Sequence, residues 1–192
     1  MRANFSPKAT CFQTDCMPTT ARSTAGPATQ ALAPASAADV LHLDNQLCFA
    51  LYATSLAMTK VYRPLLAEIG LTYPQYLVML ALWQHGTLSA GALGEQVALD
   101  SGTLVPLVRK LVATGLVARQ RSAQDDRSVQ ISLTPAGLAL QARAQTVQQH
   151  VGCATRCSAE QRQALNSSLR SLRAALLQGA TDLAPWPAHQ PG

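Results

Sequence analysis

The residues best suited to chemistry in this sequence are its five cysteines and four tyrosines. Cys48 stands near the start of a largely apolar helical stretch, where the helix dipole favours the reactive thiolate. All four tyrosines fall between residues 52 and 76, and a phenol donates well to a thiolate or to a peroxide oxygen. From the residues alone, Cys48 is either a reactive thiol or an inert packing residue.

Tyr62 follows Cys48 by 14 residues on what the apolar periodicity predicts as one helix, from Leu43 through Glu68. At ~1.5 Å per residue the two side chains are about 21 Å apart. They cannot touch within one chain unless the helix breaks at Pro64 or earlier. For Tyr52, which lies within that stretch, and Tyr76, which follows it, core packing is the favoured interpretation.

The remaining composition excludes several classes of protein. Residues 1–38 are dominated by Ala, Thr, Ser and Pro and are predicted to form a disordered tail that includes Cys11 and Cys16; residues 181–192 are predicted to be irregular. The histidines do not cluster with cysteines or carboxylates, so we expect neither a metal site nor a cofactor. No stretch reaches the roughly 18 apolar residues of a membrane span, and five unevenly spaced cysteines do not form a disulfide scaffold. The sequence predicts a cytoplasmic protein without a membrane partner.

A basic segment follows in the middle of the chain. Between Ser101 and Gln124 there are four basic residues and no acidic one, within a chain of net charge +5. Such a segment is either a solvated face or a surface for a polyanion such as DNA. The side chains expected to contact DNA are Ser101, Thr103, Pro106, Arg109, Lys110, Arg121 and Arg127, and Asp125 is expected to form a salt bridge that orients Arg127.

The elements that position these residues follow from patterning. Residues 39–180 predict two helices, a helix-turn-helix at about 89–113, a β-hairpin at about 116–133 and two further helices. Because proline is tolerated only in a helix's first turn, Pro106 predicts that the second helix of the motif starts near Gly102 or Thr103. The later helices are predicted from Pro135 to about His150 and from Ser158 onward. The fold class is therefore mostly α, a winged helix-turn-helix with a β-hairpin wing.

The long flanking helices carry more apolar surface than one small core needs. In the last helix, leucines recur on one stripe at positions 165, 169, 172 and 176. Stripes of this kind either pack within one chain or form a homodimer through the terminal helices. A dimer would place two reading helices about 34–36 Å apart, which matches a pseudo-palindromic operator in double-stranded DNA.

On these residues the chain resembles the multiple antibiotic resistance regulator (MarR) family over residues 40–178. A narrower resemblance is to the organic hydroperoxide resistance regulators of that family. The broad match is carried by the wing runs 125–129 (DDRSV) and 133–137 (LTPAG), and the narrower one by 43–52 (LDNQLCFALY), 62–66 (YRPLL), 70–76 (GLTYPQY) and 99–104 (LDSGTL).

The resemblance implies roles for particular residues. In that group the cysteine at the Cys48 position senses peroxide, and tyrosines at the positions of Tyr62 and Tyr73 hydrogen-bond to it. Members with a second cysteine near Cys153 form a disulfide between subunits. This chain resembles the two-cysteine type, with Cys153 as the expected partner and Cys157 as the alternative.

The sequence thus predicts a DNA-binding repressor that organic hydroperoxides induce by oxidising Cys48, and not an enzyme. One alternative is a MarR-type repressor gated by a small phenolic or lipophilic ligand. The other is a thiol peroxidase-like enzyme, which would have no need of a basic wing.

Overall fold

The computed structural model describes residues 40–121 and 129–182, and the chain divides into two units, residues 1–46 and 47–192. The predicted tail at 1–38 and the predicted irregular end from 183 onward lie outside the described residues. In the first unit the described part is a short 3-10 turn at Leu43–Asn45. Because Gln46 is extended (ψ 115°), the first long helix begins at Leu47 and not at the predicted Leu43.

The described part of the second unit contains six helices and a three-stranded sheet. In chain order the elements are α1 (Leu47–Glu68), α2 (Tyr73–His85), β1 (Thr87–Ser89), α3 (Ala90–Val97), α4 (Ser101–Ala113), β2 (Val117–Arg121), β3 (Val129–Leu133), α5 (Pro135–Ala154) and α6 (Ala159–Asp182).

Local sequence sets several of these boundaries. Gly70 ends the turn that follows α1. Its φ is +72°, a backbone conformation that glycine adopts without strain. The Gln75 side chain accepts the Thr72 backbone amide at 2.9 Å, as the predicted capping box requires. At the start of α6, Ser158 and Gln161 bond reciprocally, the Ser158 amide to Gln161 Oε1 at 2.8 Å and the Gln161 amide to Ser158 Oγ at 3.2 Å.

Helix α2 is the centre of the core, as its nearly continuous apolar sequence predicts. Its Tyr76, Val78, Met79 and Leu82 expose none of their surface. Helix α1, the helix-turn-helix α3–α4 and helix α5 pack around it. The core therefore joins α1 and α5 to the motif that is expected to read DNA.

The predicted hairpin is confirmed as β2 and β3, but it belongs to a larger sheet of order β1-β3-β2. In the antiparallel ladders, Ile131 of β3 pairs with Leu88 of β1 on one side and with Arg119 of β2 on the other. The sequence analysis missed β1 because three residues between two helices are too short to show alternation.

Two predicted helix limits are corrected. Helix α4 begins at Ser101, so Pro106 lies in its second turn and leaves the Gly102 carbonyl without the amide of residue 106 as a donor. Asp100 caps the helix strongly enough to start it earlier than the proline predicted. Helix α5 continues past His150 to Ala154, and this places Cys153 in its last turn.

Within residues 40–121 and 129–182, no helix taken singly has the length and apolar character to cross a bilayer. Helices α1 and α2 meet those criteria only as a pair, bent by 75° at the break between them.

Candidate DNA-binding and thiol sites

The N-terminus of α4 is built around the Asp100 carboxylate. Its Oδ1 accepts the backbone amide of Thr103 at 3.0 Å, and its Oδ2 accepts the Thr103 hydroxyl at 2.9 Å. These bonds hold the pKa of Asp100 below its ordinary value, the backbone bond contributing most. The Thr103 hydroxyl proton is therefore already engaged. The Asp-x-x-Thr spacing could have revealed this cap.

The outer face of α4 is exposed around the predicted DNA contacts. Ser101, Thr103 and Pro106 near the beginning of the helix and Arg109 and Lys110 farther along are all exposed. The opposite face, Leu104, Val108 and Leu111, is buried in the core. This amphipathic division turns the small residues and the two cations away from the protein together.

The structure places Arg109 and a second cation on the lining of one cavity. Arg109 of α4 and Arg119 of β2 both line a mainly apolar cavity of about 120 Å³ between the helix and the sheet. Arg119 was part of the basic segment but was not among the predicted DNA contacts. The backbone of Arg121 pairs with Val129 at the end of β2. Arg127 and Asp125 lie outside the described residues, so their predicted salt bridge stays a prediction.

The base of the wing is fixed to α5 by Thr134 and Gly137. The Thr134 hydroxyl donates to the Gly115 carbonyl at 2.6 Å and accepts the Gly137 amide at 3.1 Å. The Thr134 amide donates to the Leu116 carbonyl at 3.1 Å. From the core side, Trp83 Nε1 donates to the Gly137 carbonyl at 2.9 Å. One turn of α5 thus connects the wing to α2.

Cys48 is exposed and is the second residue of α1. Tyr62 lies on the same uninterrupted helix, which continues through Pro64 to Glu68. At ~1.5 Å per residue, the 14-residue separation corresponds to about 21 Å. The predicted same-chain separation of the two side chains is therefore confirmed.

Tyr62 and Tyr73, the predicted hydrogen-bond donors, do lie together. Their ring centroids are 5.0 Å apart, and the ring of Tyr76 lies 5.7 Å from that of Tyr62. Gln148 of α5 joins the group: its Nε2 donates to the Tyr76 hydroxyl at 2.7 Å, and its Oε1 accepts the Tyr62 hydroxyl at 3.5 Å. The sequence analysis missed Gln148, whose position on a polar helix carried no motif.

The tyrosines of this cluster are held in their protonated form. Burial is the largest cause that raises the pKa of Tyr62, Tyr73 and Tyr76 above the ordinary phenol value. For Tyr62 the neighbouring Tyr76 raises the pKa further, while the bond to Gln148 lowers it. At neutral pH each hydroxyl therefore retains the proton that a donor needs.

The two later cysteines stand on either side of a chain reversal. Cys153 is exposed in the last turn of α5, and Cys157 is half-buried just before α6, its Sγ 3.3 Å from the Thr155 carbonyl oxygen to which it donates. Between them, Arg156 adopts a φ of +51°. Across residues 40–121 and 129–182, His, Cys, Asp and Glu side chains form no group of three able to hold a metal ion.

Comparison with known proteins places this architecture among transcriptional regulators. Residues 60–141 match the family model described as transcriptional regulator SarA/Rot. The organic hydroperoxide resistance transcriptional regulator of Bacillus subtilis is 46% identical over 140 residues, which cover 73% of this chain and 95% of that protein. The regulator TtmR of Methylorubrum extorquens is 44% identical over 147 residues, covering 76% of this chain and 75% of TtmR.

Solved structures agree with these relatives. Reduced AbfR bound to DNA superposes with a TM-score of 0.56 and 31% identity over 70% of this chain and 95% of AbfR. AbfR of Staphylococcus epidermidis, in another structure, gives a TM-score of 0.59 at 30% identity, over 70% of this chain and 93% of that one. The winged helix-turn-helix fold, the exposed reading helix and these relatives lead to one assignment: the chain belongs to the MarR family of DNA-binding transcriptional regulators, in the group of the organic hydroperoxide resistance regulators.

Proposed function

We propose that the protein is a homodimeric repressor that organic hydroperoxides release from its operator by oxidising Cys48. The observation that carries the proposal is the separation of the exposed thiol at one end of α1 from the tyrosine cluster near the other end. An antiparallel partner helix would bring the two ends together. The name of the Bacillus subtilis relative, a regulator of organic hydroperoxide resistance, supports the same inducer.

The exposed apolar surface supports a dimer through the terminal helices. Helix α6 buries none of its residues within the chain. Its Leu165 and Leu176 expose 55% and 59% of their surface, and on α1 Leu47 and Leu56 expose 58% and 53%. Because each of these side chains is about half exposed, burying it against a second copy contributes about 1 kcal/mol. In a two-fold symmetric dimer, the exposed leucines of α1 and of α6 would each be buried in both subunits.

In this dimer the thiol of one subunit would meet the phenols of the other. Tyr62 and Tyr73, as protonated donors, would hydrogen-bond to the Cys48 thiolate of the partner and to the peroxide oxygen. The rings of Tyr62 and Tyr73, 5.0 Å apart, would provide apolar contact for the organic part of the hydroperoxide. This contact favours an alkyl or aryl hydroperoxide over hydrogen peroxide.

The reaction proceeds in two steps. The Cys48 thiolate attacks the terminal oxygen of the hydroperoxide, the O–O bond breaks, and the organic alkoxide leaves and takes up a proton, so that a sulfenic acid and an alcohol form. The thiol of Cys153, or alternatively of Cys157, from the partner then displaces water to form an intersubunit disulfide. Structures of AbfR in reduced, overoxidised and disulfide-formed states support thiol oxidation in this group.

DNA binding would use the exposed face of α4 together with the wing. Ser101, Thr103 and Pro106 would approach the edges of the DNA bases. The basic residues Arg109, Lys110, Arg121 and Arg127 would contact phosphates or the minor groove, and Asp125 would orient Arg127. A dimer fits a pseudo-palindromic site with both reading helices at once. A disulfide that requires Cα atoms within about 7 Å would shift the subunits and disrupt this fit.

Titration of operator-containing DNA in a gel-shift assay tests the proposal. Cumene hydroperoxide should release the wild-type protein and leave Cys48→Ser bound, because serine forms no sulfenic acid. Non-reducing gels of Cys153→Ser and Cys157→Ser should show loss of the cross-linked dimer in only one of the two. Release of Cys48→Ser by the hydroperoxide would contradict the mechanism and favour a ligand-gated repressor.

A further inference from the structure

Within the described residues, one side chain, Gln148, hydrogen-bonds to the hydroxyls of both Tyr62 and Tyr76. Tyr76 exposes none of its surface and Tyr62 exposes 8%, so both hydroxyls sit in largely dry surroundings. Gln148 itself is exposed and reaches the pair from α5. A single amide from another helix therefore contacts both phenol hydroxyls.

The two bonds of this amide are unequal. The bond to Tyr76 is short, at 2.7 Å, and it fixes the amide plane. The bond from the Tyr62 hydroxyl is long, at 3.5 Å, and beyond the usual range for an O–H donor. The Tyr62 proton is thus directed by Gln148 but held only weakly by it, so a stronger acceptor can take it.

We propose that Gln148 is a positioning residue for the thiol reaction, holding the Tyr62 hydroxyl in the orientation from which it delivers a proton to the leaving alkoxide. This inference rests on the proposed function. When the Cys48 thiolate attacks the hydroperoxide, the electron pair of the broken O–O bond goes to the alkoxide. The Tyr62 proton converts that alkoxide into an alcohol, and water restores the proton to Tyr62.

The chemistry separates this role from a structural one. Attack of the same thiolate on iodoacetamide expels iodide, which needs no proton. If Gln148 positions the proton donor, its loss slows the hydroperoxide reaction more than alkylation, to which the Tyr62 hydroxyl contributes only through its hydrogen bond to the thiolate. If Gln148 only supports the packing around the thiol, both reactions change together.

The experiment measures the second-order rate constants for modification of Cys48 in the full-length reduced protein, by mass spectrometry of its peptide, with cumene hydroperoxide and with iodoacetamide. Gln148→Leu should lower the hydroperoxide rate about threefold to tenfold, the effect of one lost hydrogen bond, and change the alkylation rate less than about twofold. The matched control is Gln145→Leu, one turn earlier on α5 and lining the same groove beside Tyr76.

A double-mutant cycle keeps the test decisive even if Gln148→Leu perturbs the fold. In a Tyr62→Phe background, Gln148→Leu should have no further effect on the hydroperoxide rate, because the proton it positions is gone. Equal rates for Gln148→Leu and wild type, or equal losses in both reactions, would overturn the inference alone. A wild-type Cys48 that does not react with the hydroperoxide would overturn the proposed function as well.

Discussion

Gly137 is the position where one added methyl group has the clearest calculable effect. A Cβ built on Gly137 would lie inside van der Waals contact with the Leu116 carbonyl oxygen and 3.0 Å from its carbonyl carbon. These are backbone atoms at the base of the wing, and the same carbonyl accepts the amide of Thr134 at 3.1 Å. The wing strand cannot move away without breaking its connection to α5.

The magnitude follows from two opposing effects. In an open helical position, replacing glycine by alanine stabilises the folded state by about 1 kcal/mol. Overpacking against fixed atoms costs about 1–3 kcal/mol, and loss of the Thr134–Leu116 bond adds about 1 kcal/mol. We therefore expect Gly137→Ala to lower the free energy of unfolding by about 2 kcal/mol, which lowers the melting temperature by about 4–8 °C in a chain of this length.

Gly152 provides the matched control on the same helix. A Cβ at Gly152 would meet nothing within 4 Å, so Gly152→Ala should raise the melting temperature by about 2–4 °C. Thermal melts at one fixed protein concentration compare the variants, since a dimer's stability depends on concentration. Gel shifts should show weaker DNA binding for Gly137→Ala only. A Gly137→Ala protein that melts at or above the wild-type temperature would refute the close approach of α5 to the wing.

Three further predictions concern the helix ends and the tyrosine cluster. Gln148→Leu should lower the free energy of unfolding in urea by about 1–3 kcal/mol relative to Gln145→Leu, because the Tyr76 hydroxyl loses its partner; no difference between the two would contradict the bond. Pro106→Ala should raise thermal stability by about 1–3 kcal/mol, since an amide returns opposite the Gly102 carbonyl; a lower melting temperature would count against it. Because the pKa of Asp100 is lowered in the folded state, its negative charge stabilises the folded protein at any pH above the ordinary Asp pKa. This stabilisation is lost as the pH falls through the pKa that Asp100 has in the folded protein. Melts should show a larger deficit for Asp100→Asn at pH 7 than at pH 3, and equal deficits would contradict the assignment.

Most of the fold was predictable because its signals are local. The capping boxes at Thr72 and Ser158 determine where two helices begin, using residues close together in the chain. The apolar run of α2 likewise predicts that this helix is buried. The predictions that were wrong or missing depended on competition between local signals or on pairing between distant residues. Asp100 outweighed Pro106 at the start of α4, and β1 exists only because Leu88 pairs with Ile131, more than 40 residues away.

For the candidate thiol site, the sequence predicts candidate residues but not the contacts between them. The helical spacing alone separated Cys48 from Tyr62, and the structure confirms one continuous helix between them. Gln148 contacts two tyrosine hydroxyls that are far from it in the chain: the sequence separation is 72 positions for one and 86 for the other. No periodicity records such a contact, because it depends on how α5 crosses α1 and α2.

The course of α5 has a consequence for how oxidation would reach DNA. This helix of 20 residues, about 30 Å long, begins at the wing anchor of Thr134 and Gly137 and carries Cys153 in its last turn, with Gln148 between them. A continuously hydrogen-bonded helix moves as a unit. In the proposed function, any displacement that draws Cys153 toward the partner's Cys48 is therefore carried to the Leu116 carbonyl at the wing base, where Gly137 leaves no space to absorb it.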